Sequence, residues 1–503
     1  MTKECLKSLP QDVGTCHKII HDLARDLQLV RQEFMLLRRK QFGPSSERHN
    51  QGQGFLFDGM FEVVEPQPKE ESQKSMEKKN KGHGRRKLPK KLPRKVILHD
   101  LDESEKTCPC CGEGLTRIGE NSLEQLDYTP ASLYVLNHVT PQYACKHCAD
   151  SKPISKERPL LPIEKGLAGP GLLAHVAVSK YADHLPLNRL ENILSRHGVD
   201  ITRSTMCDWM RQTADLLWPL YVLMREEVLA SRAIHTDDTP VGLREKGRKT
   251  NRTSHVWVYL GDEQHPYTVY DFSEGRQQKV VTDFIDGKLN GYMHADAYKG
   301  YDTVYADGTV REVGCWSHLR RKFTDAAGSN SLADDAIEII GRLYGIEKTA
   351  KKKREEYKND DEGFYEYRRK LRQEQSVPII CEFKAWLDAN KDNILPKSLI
   401  GKAFTYSLNQ FDAMLRYTEQ GYLEIDNNAA ERALRHVVVG KNNWQHFGSP
   451  RGGRTAAVLY SFIMSARQNN VEPFRYMRDV IERISAHPKN RLDELMPTKI
   501  YKP

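Results

Sequence analysis

Apolar residues recur at three- and four-residue steps between 15 and 42, at Ile19, Ile20, Leu23, Leu27, Val30, Phe34 and Leu37. This spacing predicts one amphipathic helix, ended by Phe42-Gly43-Pro44. Such a stripe suits pairing with a second copy as a coiled coil; packing onto its own domain is the alternative. Periodicity fades over 45–95, a polar stretch of Gly, Pro, Gln, Ser and mixed charge that reads as linker. Residues 165–225 are helical with breaks. Gly169-Pro170-Gly171 opens a helix over Leu172 to Tyr181, and Leu187 to Arg196 forms a second. Gly198 turns the chain, and Thr202 to Thr205 caps a third helix that runs through Trp209 to Leu217. Short helix, glycine turn and Ser/Thr-capped helix make a helix-turn-helix pattern, which a helical bundle unrelated to DNA would share.

After 231 the period shortens. Ala233-Ile234-His235 is a brief apolar approach to Asp237. Ser254 to Leu260 and Tyr267 to Phe272 read as strands, Gln277 to Ile285 as a helix, Gly291 to Ala295 as a strand ending on Asp296, and Thr309 to Val313 as another strand. Strands in this order with acids near their ends describe a ribonuclease-H-like sheet, although periodicity leaves other α/β folds open. Residues 330–418 are charged and helix-like, with long helices expected over Leu332 to Leu371 and Leu399 to Tyr417. They read as a helical insertion. Asn427 can cap a helix carrying Glu431, Arg432 and Arg435. Residues 437–455 read as a basic, glycine-rich loop, and Ala456 to Arg467 and Pro473 to Ile484 as the last helices. The class is therefore multidomain, mixed α and α/β. The expected segments are 1–44 (oligomerisation helix), 45–98 (linker), 99–152 (metal-binding), 153–230 (helix-turn-helix), 231–329 and 420–445 (the two parts of the α/β domain), 330–419 (insertion) and 446–503 (C-terminal helices).

Composition adds a partner and a compartment. The chain has 503 residues, 39% hydrophobic and 29% charged, too long for one core. No window holds eighteen consecutive apolar residues and the N-terminus lacks an apolar signal core, so a cytoplasmic protein with no membrane partner is expected. The net charge of +9 suits a polyanion, and Lys78 to Lys95 carries ten Lys or Arg with no acid. Arg85, Arg86, Lys90 and Lys91 lie in this arm, which either tracks a DNA backbone or serves as a solvated tether. In the capped helix Arg203 and Ser204 lead into the major groove on the helix-turn-helix reading. Arg320, Arg321, Arg432, Lys441, Trp444 and Arg451 are further candidates for DNA contact.

Two sets of residues point to metals. Cys108, Cys111, Cys145 and Cys148 form two CxxC knuckles, the spacing of a tetrahedral structural Zn2+ site that would largely fold its own segment. Cys110 and His147 lie inside the knuckles as spares or alternates. Asp237, Asp296 and Glu431 could together hold Mg2+ (or Mn2+), because phosphodiester chemistry needs carboxylate-held divalent ions at the attacking and leaving oxygens. Asp238 and Asp426 are the nearest rivals.

The stretches HTDDTPV, MHADAYKGYD, CWSHLRRKF and DNNAAERALRHVVVGKNNWQHFGSPRGG closely resemble the signatures of insertion-sequence-66-type transposases. So do LRRKQFGPSSER, LPKKLPRKVILHDL and the CPCCG/CKHC region, in the same order along nearly the whole chain. The resemblance implies a DDE site on a ribonuclease-H-like fold with a helical insertion before the Glu, carried by Asp237, Asp296 and Glu431. It also implies binding and cleavage of the terminal inverted repeats of double-stranded DNA and transfer to target DNA without a covalent protein–DNA link. A homo-oligomer, in the simplest case a dimer, would join two ends, and small accessory proteins of the same element are candidate partners. The first signature usually reads Asp-Glu-Thr; here it is Asp237-Asp238-Thr239. Cys315 and His318 are similar to a C-x-x-H signature found after the second Asp in several DDE families, where the resemblance implies a structural or DNA-positioning role and not a catalytic one. The other class of function is a zinc-bearing DNA-binding regulator whose ribonuclease-H-like domain does no chemistry.

Overall fold

A computed structural model describes separate positions between 12 and 30, residues 133–136, the short antiparallel ribbon Gln142–Tyr143 and Ile154–Ser155, and residues 160–500 apart from Lys165, Lys246, Arg248, Lys249, Gly328 and Ser329. Cys108, Cys111, Cys145, Cys148, Arg85, Arg86, Lys90 and Lys91 lie outside the described residues. The described positions from 13 to 30 are helical, and Ile20, Leu23, Leu27 and Val30 are exposed.

The centre is a sheet of β1 (Ala233–Leu243), β2 (Arg252–Leu260), β3 (Thr268–Ser273), β4 (Gly291–His294) and β5 (Val310–Val313), with β6 (His446–Phe447) against the far end of β1. Its order is β3-β2-β1-β4-β5. The first three strands form an antiparallel meander, while β4 and β5 run parallel to β1. α4 (Gln278–Ile285) carries the chain from one edge of the meander to the other side of β1, the crossover that a parallel pair requires.

Three helices precede the sheet: α1 (Pro170–Tyr181), α2 (Leu187–Arg196) and α3 (Arg203–Leu229). Thr202 caps α3 by accepting the Thr205 amide at 3.3 Å, as its sequence suggests. α3 continues far past Leu217, to Leu229, because Leu220, Tyr221, Met224 and Val228 keep an apolar stripe against the sheet. One hydrophobic core joins α1–α3 to β1–β3, α4 and the later helices, so packing is continuous across residue 230.

α5 (Trp316–Ala326) follows β5 and leads into the insertion: α6 (Ser331–Lys353), α7 (Asp361–Leu371), α8 (Val377–Asn390) and α9 (Leu399–Asn409). These helices share a second core with Val313 of β5 and Trp316, Leu319 and Phe323 of α5. The expected helix to Tyr417 stops at Asn409 and restarts over Phe411–Leu415. α10 (Asn428–Trp444), α11 (Pro450–Gln468) and α12 (Pro473–Arg483) follow, and two short helical segments, Lys489–Leu495 and Pro497–Ile500, come after them. Residues 437–455 are thus mostly helix, correcting the expected loop. The small residues of α11 have a use: Ser461 and Ser465 accept the Tyr270 and Thr268 amides at 2.8 and 3.0 Å, covering the open edge of β3. Among the described residues no helix is long and apolar enough to cross a membrane.

Candidate active site

Strand register sets two of the three acids side by side. β1 and β4 are adjacent and parallel, and His235 lies level with His294. Their rings stack, with centroids 4.1 Å apart and planes at 9°. Two residues on, where the pleat returns to the same face, stand Asp237 and Asp296. Asp296 follows the end of β4 as expected. Asp237 instead lies inside β1, which runs on through Asp238, Thr239 and Pro240 because Leu260 to Arg252 pair with it from His235 to Leu243. The alternation that marks the strand is hidden, since the residues on its functional face are themselves polar.

Glu431 comes from the first turn of α10, which packs against β1 and β2. Burial pushes the Asp237 carboxyl well above the ordinary range, and the nearby carboxylates of Asp296, Asp238 and Glu431 push it further. Burial also raises Asp296, against the Arg276 guanidinium, and Glu431, against Arg321. Arg276 Nη2 lies 3.2 Å from Asp296 Oδ2, and Arg321 Nη2 3.5 Å from Glu431 Oε2. Asp296 Oδ1 and Glu431 Oε1 are buried without a hydrogen-bond partner. Asp237, Asp296 and Glu431 are therefore brought into one electrostatic neighbourhood. They are spaced more loosely than a closed coordination shell: among the described residues no three His, Cys, Asp or Glu side chains converge tightly enough to hold an ion as they stand.

Asp238 points to the opposite face of β1. Its carboxylate, only 2% exposed, accepts Arg276 Nε at 2.8 Å and pairs with His255 Nδ1 at 2.5 Å. It fixes Arg276, which lies over the Tyr298 ring, 3.9 Å from its centroid. Asp426 accepts the Tyr344 hydroxyl at 3.1 Å and the Asn428 side chain at 2.9 Å. Both rivals are occupied by structural partners, whereas Asp237 accepts the Asp238 amide at 2.7 Å.

Asn427 does not cap α10 with its side chain, correcting that expectation. It is fully buried; Nδ2 donates to the Thr236 carbonyl at 2.8 Å and Oδ1 meets His235 Nδ1 at 3.0 Å. The Asn427 amide donates to Cys315 Sγ at 3.2 Å. His318 Nε2 lies 3.5 Å from Glu431 Oε1; burial, with Arg321 and Lys322 beside it, pushes this imidazole down to about 4, so it is neutral at neutral pH.

The DNA-contact candidates divide. Arg203 and Ser204 are exposed on the first turn of α3, as are Arg320 on α5 and Arg432 on α10. Arg451 is exposed and pairs with Asp215 at 3.1 Å. Lys441 is half-buried and donates to the Pro240 carbonyl at 3.0 Å. Trp444 stacks on Phe447 at 4.9 Å, so its ring closes the core edge rather than standing open to a base. Sequence reasoning missed Arg276, His235 and His294. For the histidines a signal was present: His-Thr-Asp and His-Ala-Asp repeat the same spacing on two strands.

Comparison with known proteins agrees with the motifs. Residues 165–455 match the model of the transposase IS66 family, 105–149 the zinc-finger binding domain of transposase IS66, 461–498 the IS66 C-terminal element, and 30–97 the model described as transposase C of IS166 homeodomain. Among curated relatives, the uncharacterized protein y4jD of Sinorhizobium fredii (strain NBRC 101917 / NGR234) is 30% identical over 424 residues, covering 82% of this chain and 81% of the relative. The uncharacterized protein y4qI of the same organism is 30% identical over 417 residues, covering 80% and 75%. The chain belongs to the IS66 transposase family.

Proposed function

We propose that this transposase cleaves the ends of its element and joins them to target DNA through a DDE site formed by Asp237, Asp296 and Glu431 on a ribonuclease-H-like sheet. The observation that carries the reading is that Asp237 and Asp296 each stand two residues past the level pair His235 and His294 of adjacent parallel strands, with Glu431 close enough to raise Asp237. Three half-buried carboxyls, two of which raise the third, gain from a divalent cation between them, and Asp296 Oδ1 and Glu431 Oε1 have no hydrogen-bond partner. Mg2+ or Mn2+ held there would stabilise the attacking and leaving oxygens of an in-line displacement. Asp238 is a structural residue on this reading. It orients Arg276, which is close enough to Asp296 to balance the site's negative charge or to meet a DNA phosphate.

Terminal-repeat and target DNA would be engaged by the exposed Arg203, Ser204, Arg320, Arg432 and Arg451, together with the basic arm at Arg85, Arg86, Lys90 and Lys91. Cys108, Cys111, Cys145 and Cys148 would hold structural Zn2+, within the segment that matches the family's zinc-finger model. The test is end cleavage and joining by full-length protein with Mg2+ and a duplex carrying the element's end. Asp237→Asn, Asp296→Asn and Glu431→Gln should each reduce both reactions to background while keeping end binding, and Asp238→Asn should keep measurable chemistry. Chemistry retained by Asp296→Asn would overturn the assignment.

A further inference from the structure

Two of the acid-bearing elements meet at one buried side chain, and the third is reached from it through one ring stack. Asn427 begins the helix of Glu431, and its carbonyl accepts the Ala430 and Glu431 amides at 3.1 and 3.4 Å. Its Nδ2 donates to the Thr236 carbonyl, the residue before Asp237. With that nitrogen committed to a carbonyl, Oδ1 must accept, so the proton on His235 lies on Nδ1. His235 in turn stacks on His294, two residues before Asp296. Both His294 ring nitrogens are buried without a hydrogen-bond partner, so no side-chain hydrogen bond orients the ring. On the remaining side, Cys315 Sγ accepts the Asn427 amide. Burial pushes this thiol up to about 12, which keeps it protonated and acceptor-competent. Trp316, next to Cys315, donates its amide to the Ile425 carbonyl at 3.2 Å, tying the same two segments again.

We propose that Asn427, with His235 and Cys315, is a positioning residue: a buried bracket that fixes the helix of Glu431 against the strands of Asp237 and Asp296. The proposal rests on the DDE reading for its purpose, but the bracket is a geometric object in its own right. It gives the C-x-x-H segment a task. Cys315 grips the start of α10 while His318, one turn further along α5, stands beside Glu431 one turn along α10. None of these groups need touch DNA. The side-chain amide is suited to the place because it offers one donor to a strand carbonyl and one acceptor to an imidazole; an aspartate would set a second oxygen against the Thr236 carbonyl.

The experiment compares full-length parent, Asn427→Ala, Asn427→Asp and Val480→Ala. Val480 is fully buried on α12, in the larger core, and serves as a destabilised control away from the acids. Two readouts are used: amide hydrogen exchange over 427–434, and binding of Mn2+ alone, followed by the free-ion electron paramagnetic resonance signal. Both Asn427 variants should exchange these amides at least tenfold faster than Val480→Ala at matched thermal stability. They should also bind Mn2+ at least tenfold more weakly, with end-DNA binding unchanged. Exchange at 427–434 no faster than in Val480→Ala overturns the bracket. So does Mn2+ affinity equal to the parent's in both Asn427 variants. If the parent itself binds no Mn2+ and cleaves no DNA, the DDE reading fails instead, and the exchange comparison still decides whether the bracket exists.

Discussion

Asp271 lies on β3 level with Trp257, which is itself level with Asp238 on β1, so a second buried acid shares the face behind the site. Burial pushes its carboxyl up from 3.8 to about 6, against Arg225 and Arg454. The folded protein therefore holds a proton there that the unfolded chain releases above about pH 4. Stability from this group is fully present below pH 4 and is lost as pH rises through 6. Asp271→Asn should flatten that limb and stabilise the protein at pH 7 by at most about 3 kcal/mol, the equivalent of two pKa units. Urea denaturation at pH 4.5 and 7 measures it; a parent that gains stability over this range would contradict it. At this scale the sequence was most legible where a residue's position follows from its immediate neighbours. Asp237 and Asp296 stand out because an apolar approach leads to each. Asn427 reads wrongly as a cap because its partners, Thr236, His235 and Cys315, are more than a hundred positions away and no local pattern announces them.

Elements were legible wherever one face meets a core and the other meets water. α2 has the expected bounds, and α4 and β5 begin one residue later than expected, because their apolar spacing is dictated by one neighbour. The failures share a cause. VVVGKNNWQHFGSPRGG reads as a loop on its glycines, yet they serve close packing. A Cβ at Gly440 would lie 2.7 Å from Trp444 Nε1 and Tyr460 Oη, and one at Gly453 2.3 Å from the Phe272 ring. The insertion's sequence shows that it is charged and helix-like but not that part of the charge is interior. Arg372, fully buried in a π turn after α7, donates to Glu347 at 2.7 Å and to the Tyr417 and Gln420 carbonyls at 2.8 and 2.9 Å. Arg368 beside it clasps Glu424 with two bonds of 2.9 Å. These contacts hold the segment that delivers α10. Arg372→Met should cost about 3–5 kcal/mol, because Glu347 and two carbonyls lose a buried partner. Chemical denaturation reads the loss; a cost below 1 kcal/mol would mean that water replaces the guanidinium.

On the proposed reading, joining two DNA ends requires two sites brought together, and one chain would offer one set of acids. The only exposed apolar stripe of regular period among the described residues is at Ile20, Leu23, Leu27 and Val30, between 46% and 63% exposed. Its steps of three, four and three residues are those of a heptad seam, and Phe34 and Leu37 continue them in the sequence. A single copy leaves this seam in water, and burying it against its own equivalent removes apolar area from both helices. Leu23→Glu combined with Leu27→Glu would set like charges across the seam. Sedimentation should then shift from oligomer to monomer, while the melting of residues 160–500 stays unchanged. The monomer should still bind a single end and, since its acids are untouched, still hold Mn2+. It should fail to produce joined pairs of ends at any protein concentration that saturates binding. Paired-end products at the parent's yield from a monomeric variant would show that pairing is built elsewhere on the molecule.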